Sequence, residues 1–297
     1  MTRRAWTHTT FALVLFVSTA TAAPSSSVTD RWERSYEVSG SPELDVVTDD
    51  ARVEIMPWDR PTIALEVSTT GWRIEPGGIR VTAEQDGGAV RLEVREPRVH
   101  WSVGWNRRSV RVVARVPRST RLDVHTGDGA VDIGALLAPV RVVTGDGSIR
   151  LAGARGRIEL QTGDGRVEAR DLDGDLTAHS GDGALTLEGR FRSLRVGTGD
   201  GPVHVRAEEG STVASAWSVE SGDGVLALRV PSNLRADLDL QTADGRIDVD
   251  VPIEVSGRLS RSHVRGTMNG GGGLLRARSG DGSIRITALE SAVTSGS

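Results

Sequence analysis

An aspartate recurs at a fixed place in a short glycine-rich motif along much of this 297-residue chain. Stacked carboxylates repel one another, and a hard cation such as Ca²⁺ would relieve that repulsion. Backbone hydrogen bonds within each turn, together with screening by solvent and salt, would offset it without any metal. We expect this second arrangement and therefore no cofactor, with calcium as the alternative. The candidate ligands are Asp128, Asp146, Asp164, Asp182, Asp200, Asp223, Asp244 and Asp281.

The units that carry these aspartates start mostly 18 residues apart. Positions 1, 3, 10 and 12 of a unit are apolar, position 5 is Thr or Ser, position 7 is Asp and position 8 is Gly. Apolar alternation on both sides of a turn predicts two strands per unit. We expect glycine to supply a positive φ at the corner, and aspartate to bond its own backbone two residues on. The units start at Leu122, Val140, Ile158, Leu176, Leu194, Trp217, Leu238 and Leu275.

Two architectures fit this repeat. An antiparallel meander has one apolar face that needs a cover, and no helical period offers one. A single-stranded β-solenoid with coils of about 18 residues turns its apolar positions inward and needs none. It would also let the hydroxyls of position 5 stack and satisfy each other. We therefore predict an all-β solenoid, with one unit between Ile253 and Gly273 that has lost its motif.

The rest of the chain divides around this repeat. Residues 1–22 are predicted to be a signal peptide, 23–120 an N-terminal β region that caps the solenoid, 121–290 the repeats and 291–297 a flexible tail. Within the N-terminal region, residues 44–55 fit the repeat template as a worn unit. Further strands are expected at Ile63–Val67, Ile79–Ala83, Val90–Val94 and Val110–Val116.

The first residues predict export. Arg3 and Arg4 precede an apolar core from Phe11 to Val17, and small residues end at Ala22, after which we place the cut. We expect an ordinary signal for the general route, with a twin-arginine signal as the alternative. No later apolar run is long enough to span a bilayer, so we expect no transmembrane segment in the mature chain. The expected location is periplasmic or extracellular.

Other residues offer weaker candidates. Trp101 and Trp105 lie on one face if their segment is a strand, where they could stack on sugar rings or form the core of the cap. His125 and His179 share position 4 but are predicted to lie three coils apart, so we read them as surface residues. The net charge of −4 and the absence of a basic block exclude a nucleic-acid footprint.

Three stretches resemble a known family. VPRSTRLDVHTGDGAVDI (116–133), VPSNLRADLDLQTADGRIDV (230–249) and GTMNGGGGLLRARSGDGSIRI (266–286) are similar to the bacterial β-strand-repeat family of "putative adhesins". That family is a domain of unknown function, similar to the head domain of autotransporter adhesins. The resemblance covers residues 40 to 290 and implies an exported, β-helical, non-enzymatic protein. It supplies no ligand or catalytic residues.

The expected function is a binding or structural module of the cell envelope whose partner is an envelope protein or glycan. One alternative is a polysaccharide-active enzyme, because parallel β-helices can carry such sites. Such a site needs carboxylates that break the repeat, whereas these acids follow it. Another alternative is a sensing or regulatory accessory of the envelope.

Overall fold

The computed structural model describes residues 29–97, 108–255 and 260–289, and these form one all-β sheet of 23 strands without a helix. Alternating apolar residues and turn glycines produce short strands throughout. The strands are β1 (Thr29–Glu37), β2 (Glu43–Thr48), β3 (Arg52–Trp58), β4 (Thr62–Thr70), β5 (Arg80–Asp86), β6 (Ala89–Arg95), β7 (Ser109–Pro117), β8 (Arg121–Thr126), β9 (Val131–Ile133), β10 (Val140–Thr144), β11 (Ile149–Leu151), β12 (Ala154–Gln161), β13 (Val167–His179), β14 (Leu185–Thr198), β15 (Val203–Ala207), β16 (Trp217–Ser221), β17 (Leu226–Val230), β18 (Ala236–Thr242), β19 (Ile247–Asp250), β20 (Ile253–Val255), β21 (His263–Met268), β22 (Gly273–Ser279) and β23 (Ile284–Ala288).

Successive units stack as parallel coils of a solenoid. Leu122 pairs with Val140 and Val140 pairs with Ile158, while Val131 pairs with Ile149 across the corner. The apolar positions of both strand rows point inward and are almost fully buried, except Ile247 and Val249 of the coil at the C-terminal end, which are partly buried. They form one continuous core along the stack. Because each coil supplies only a slice of that core, its stability depends on its neighbours.

Among the described residues, fully buried aromatic side chains occur where the repeat lengthens. Phe191 and Trp217 are both fully buried and meet edge to face, with ring centroids 6.3 Å apart and planes at 81°. They lie where the spacing between units grows from 18 to 23 residues. The added volume of the two rings fills the wider section of the solenoid.

The stacking order departs from the chain order at the C-terminal end. Strands β22 and β23 of the last unit lie between two earlier units: β16 and β17 on one side, β18 and β19 on the other. Leu275 accordingly pairs with both Trp217 and Leu238. The final unit in the sequence is therefore an internal coil.

The expectation of a degenerate parallel coil between Ile253 and Gly273 is wrong. Strand β21 pairs antiparallel with β18, and β20 pairs antiparallel with β21 on its other side. This segment reverses direction and lies along the last coil. The reversal satisfies a strand edge that would otherwise be left open.

At the other end, strands β2 and β3 stack directly on β8 and β9, and Leu44 pairs with Leu122. Strands β6 and β7 follow as another parallel layer on β2 and β3. Antiparallel β5 lines β6, β4 lines β7, and β1 lines β4. The strands expected in this region are present in β4, β5, β6 and β7, except that Ile79 forms only an isolated bridge just before β5.

The glycines of the corner serve close packing, which corrects the expectation of a positive φ. Positive φ occurs at glycines such as Gly40 and Gly156, and Gly145 and Gly147 of the motif are not among them. A Cβ at Gly147 would overlap the carbonyl oxygen of Gly129 in the preceding coil. A Cβ at Gly145 would overlap a carboxylate oxygen of Asp128. Adjacent coils approach so closely here that only glycine fits.

Candidate functional site

The aspartate column forms a hydrogen-bonded ladder from coil to coil. The backbone N–H of Asp146 donates to Oδ1 of Asp128 at 3.0 Å, and that of Asp164 donates to Asp146 at 3.2 Å. Asp182 and Asp200 continue the series at the same distance of 3.2 Å. The carboxylates therefore bond the neighbouring coil. The expected bond to their own backbone two residues on is not the one these residues make.

The ladder extends into the N-terminal region and starts at a glutamate. The backbone N–H of Asp128 donates to Oδ1 of Asp50 at 2.9 Å, and the Glu96 carboxyl accepts a hydrogen bond from the backbone of Asp50. Burial raises the pKa of Glu96 above its usual value, and the nearby charges of Asp50 and Asp49 raise it further. Sequence reasoning missed Glu96 because its segment lacks the glycine corner.

The hydroxyls of position 5 form hydrogen bonds with the backbone. This corrects the expectation that they satisfy each other, since a bond between two hydroxyls is the exception. Oγ1 of Thr162 donates to the carbonyls of Gly145 and Gly147, at 3.1 and 2.9 Å, and accepts from the N–H of Gly165 at 3.1 Å. A direct hydroxyl pair occurs between Thr48 and Thr126, at 2.9 Å. These buried hydroxyls close the corner by satisfying backbone groups that water does not reach.

The structure supplies no converging ligand set for a metal. Within the described ranges, no group of three or more His, Asp or Glu side chains is arranged to hold an ion. In the ladder, Asp128, Asp146, Asp164 and Asp182 each use one carboxylate oxygen for a backbone N–H. That the column holds no cofactor stays a prediction, with Ca²⁺ as the alternative, and melting curves can test it.

The remaining sequence candidates are not brought together. His125 lies beside Val143 in the same outward column as His179, which pairs with Gln161 and Gly197. The two histidines are thus three strands apart, as expected. Trp101 and Trp105 lie outside the described residues.

The outward positions of both strand rows carry charges that pair between coils. Arg141 lies 3.5 Å from both Asp123 and Glu159, which come from the coils on either side. On the second row, Arg150 lies 3.1 Å from Asp132 and 3.8 Å from Glu168. These half-exposed pairs add little stability individually, but they make both faces regular and rigid.

One stretch of the second row departs from this pairing. A shallow depression of about 570 Å³ opens where Ala227 leaves room between its neighbours. Arg206 is held by Glu188 at 3.0 Å and Arg285 by Asp248 at 3.7 Å. Arg229, also at the rim, has no acidic partner within 4.0 Å among the residues that the structure describes. An uncommitted guanidinium beside an open floor can bind an anionic or hydroxyl-rich group.

A second charged cluster lies at the antiparallel end. Nε2 of His263 lies 3.2 Å from Oδ1 of Asp239, and Nε of Arg265 lies 3.3 Å from the same oxygen. Burial alone would raise the pKa of Asp239, but the hydrogen bonds from His263 and Arg265 outweigh it, and the pKa lies below its usual value. The cluster fastens β21 to β18.

Comparison with known proteins identifies a family. The family model described as Toastrack DUF4097 matches residues 42–287. No protein with a curated description matches the chain. In the part that the structure describes, no helix is long and apolar enough to cross a membrane.

Several solved structures resemble this one. A "putative lipid binding protein" from Parabacteroides distasonis is 15% identical with a TM-score of 0.43, covering 86% of this chain and 96% of its own. A "putative adhesin" from Bacteroides fragilis is 11% identical with a TM-score of 0.40, covering 87% and 97%. A "putative cell adhesion protein" from Clostridium sporogenes is 10% identical with a TM-score of 0.31, covering 87% and 100%.

Proposed function

Because the chain belongs to the Toastrack DUF4097 family, whose function is unknown, we propose from its own surface that it is an exported, non-enzymatic binding module of the cell envelope. It would act in the periplasm or outside the cell as an adhesin-like or structural element. In this proposal the coils of about 18 residues form the rigid body, and the antiparallel strands of the N-terminal region cap it. Its partner is an envelope protein or glycan.

The observation that carries this proposal is that the corner and the outward positions of each coil have different roles. The corner groups are committed to cohesion, since Thr162 and Asp164 both bond backbone of adjacent coils. The outward positions differ from coil to coil, as Thr186, His204 and Ala227 do at one position of three adjacent coils. A solenoid whose interior repeats and whose surface varies presents a long flat face suited to binding.

The depression around Arg229 is the part of that face best suited to contact. Its floor is apolar, and the ionisable side chains that line it are those of Arg206, Arg229, Arg285, His204 and Glu188. Guanidinium and imidazole groups around an apolar floor suit a ligand that combines anionic or hydroxyl groups with a flat surface. We place the contact with the envelope partner here.

Retention on envelope fractions tests the proposal. The chain from Ala23 to Ser297 is incubated separately with the sugar polymer and with the membrane proteins of its own cells. We expect saturable retention on one fraction, reduced in Arg229→Glu and retained in Arg195→Glu. The control makes the same change of charge at an exposed position of the other strand row. Retention on neither fraction would contradict the binding role, and equal retention of both variants would move the contact elsewhere.

A further inference from the structure

Among the described residues, one edge of strand β1 is not paired with another strand. Strand β1 pairs antiparallel with β4 from Asp30↔Thr69 to Glu37↔Thr62, and no other described strand pairs with it. Residues 30–37 of this strand contain no proline or glycine and pair with β4 without a break in register. The side chain of Gln85 bonds the carbonyl of Glu37 at one end. Edges of this length are templates for the addition of another strand.

The order of charges on β1 is complementary to its own reverse. Its central sequence is Asp30-Arg31-Trp32-Glu33-Arg34. If a second copy runs antiparallel with Trp32 opposite the partner's Trp32, Arg31 faces the partner's Glu33 and Asp30 faces the partner's Arg34. The twofold axis repeats both contacts, so opposite charges flank a central aromatic pair on both sides. We propose that this protein forms a homodimer by pairing the β1 edges of two copies in this register.

The other symmetric registers are unfavourable. A twofold axis perpendicular to the sheet must place one residue opposite itself, because cross-strand partners lie on the same side of a sheet. Centring the pair on Asp30, Arg31, Glu33 or Arg34 sets that charge against its own copy. Centring it on Ser35 sets Glu33 against the partner's Glu37, and centring it on Tyr36 pairs only residues 35–37 of the strand. Like charges directly opposite destabilise a strand pair, so the sequence selects the register on Trp32.

The charged side chains of β1 already have partners within the chain, and a second copy would add to them. The Asp30 carboxylate accepts the backbone N–H groups of Arg31 and Ile74, both at 2.9 Å. Arg31 and Glu33 are both more than half exposed on one side of the strand, and Arg31 lies 2.9 Å from Glu66 of β4. On the other side, Arg34 lies 5.5 Å from the ring centroid of Trp32. Trp32 is half-buried against the core, so the partner's strand would cover the rest of its ring. Arg31 also contacts Glu33 of its own strand, so in the dimer its guanidinium would lie among Glu33 and Glu66 of its own chain and the partner's Glu33.

Charge reversal tests the dimer without reference to any envelope ligand. We expect sedimentation of the chain from Ala23 to show a dimer that weakens as salt rises, because its contacts are exposed ion pairs. Arg31→Glu and Glu33→Arg should each weaken self-association at least about tenfold, because each sets like charges opposite twice. An equimolar mixture of the two variants should restore the dimer. In the mixed dimer, positions 31 and 33 are both acidic in one chain and both basic in the other, so each facing pair joins opposite charges.

The control Arg195→Glu, on the repeat region, should leave the dimer intact. A monomer at every concentration tested would overturn the proposal, as would a dimer that survives both reversals. Failure of the mixture to associate, with both variants melting as the unmodified chain does, would overturn the register. Because these readouts involve only this chain, they stand or fall independently of the retention assay.

Discussion

The backbone N–H of Asp146 donates to Oδ1 of Asp128 at 3.0 Å, and this bond joins two coils at the column where their aspartates stack. The carboxylate therefore faces an amide dipole as well as the next carboxylate, and the remaining repulsion is screened because both side chains are exposed. The motif is thus an element of cohesion between coils, whatever else its free oxygens contact.

Two different replacements of one carboxylate distinguish the contribution of its hydrogen bond to stability from the contribution of its charge. Asp164→Ala leaves the N–H of Asp182 without its acceptor and should lower stability by about 1–2 kcal/mol. Asp164→Asn keeps an acceptor oxygen and removes one charge from the column, so it should cost less, most clearly at low salt. Urea denaturation of both variants measures the difference. Equal losses would show that the charge, and not the acceptor, is what the ladder uses.

Calcium should leave the melting temperature unchanged. The ladder oxygens already accept backbone N–H groups, and no three acidic or histidine side chains converge among the described residues. We expect melting curves in excess Ca²⁺ and in chelator to superimpose. An upward shift in calcium that Asp164→Asn abolishes would instead establish the cation row.

The corner glycines should not tolerate a methyl group. Gly147→Ala drives a Cβ into the carbonyl of Gly129 and should cost about 1–3 kcal/mol or more through displaced backbone. Gly197→Ala is the matched control, because its Cβ meets only the exposed ring of His179, at 3.2 Å. Thermal melting should show a large loss for the first variant and little change for the second. Similar losses would mean that close approach of the coils is not the reason for glycine.

The buried hydroxyl of Thr162 should contribute through its backbone partners. Thr162→Val has a similar shape but leaves two carbonyls and one N–H without the bond they make now, which should cost about 1–3 kcal/mol. Thr162→Ser should cost less, because Ser180 makes the same bonds one coil further on. Denaturant midpoints compare the two variants. A valine variant as stable as the serine variant would contradict this role.

The raised pKa of Glu96 predicts how the stability of the fold changes with pH. A carboxyl whose pKa is higher in the folded state stabilises the fold below its unfolded pKa, and that contribution is lost as pH rises through the folded pKa. At neutral pH the ionised group is therefore unfavourable next to Asp50 and Asp49. Glu96→Gln keeps an acceptor oxygen for Asp50, so its melting temperature relative to the unmodified chain should rise between pH 4 and pH 7. A constant or falling difference would contradict the shift.

The sequence predicted which residues of a coil point inward, but not which coils lie next to each other. The inward direction of Leu122 and Val140 follows from alternation within one unit, so local pattern is enough to predict it. That Leu275 lies between Trp217 and Leu238 does not follow, since every unit offers the same apolar positions and fits on any other. The partner of the Asp128 carboxylate was missed for a related reason: it lies in the next coil, and turn chemistry describes only bonds within one turn.

Because the last unit in the sequence is an internal coil, the coils cannot all be added in the order in which they are synthesised. A chain made from its N-terminus can add coils in order only as far as β17, because the surface that receives β18 belongs to β22 and β23, which are made later. Residues 236–250 therefore reach their final position only after β22 and β23 have been made. Until then they remain unpaired or pair with another surface that they later leave. A chain cut short before Leu275 would leave two apolar coil surfaces facing a gap. The core therefore closes only in a chain that contains β22 and β23.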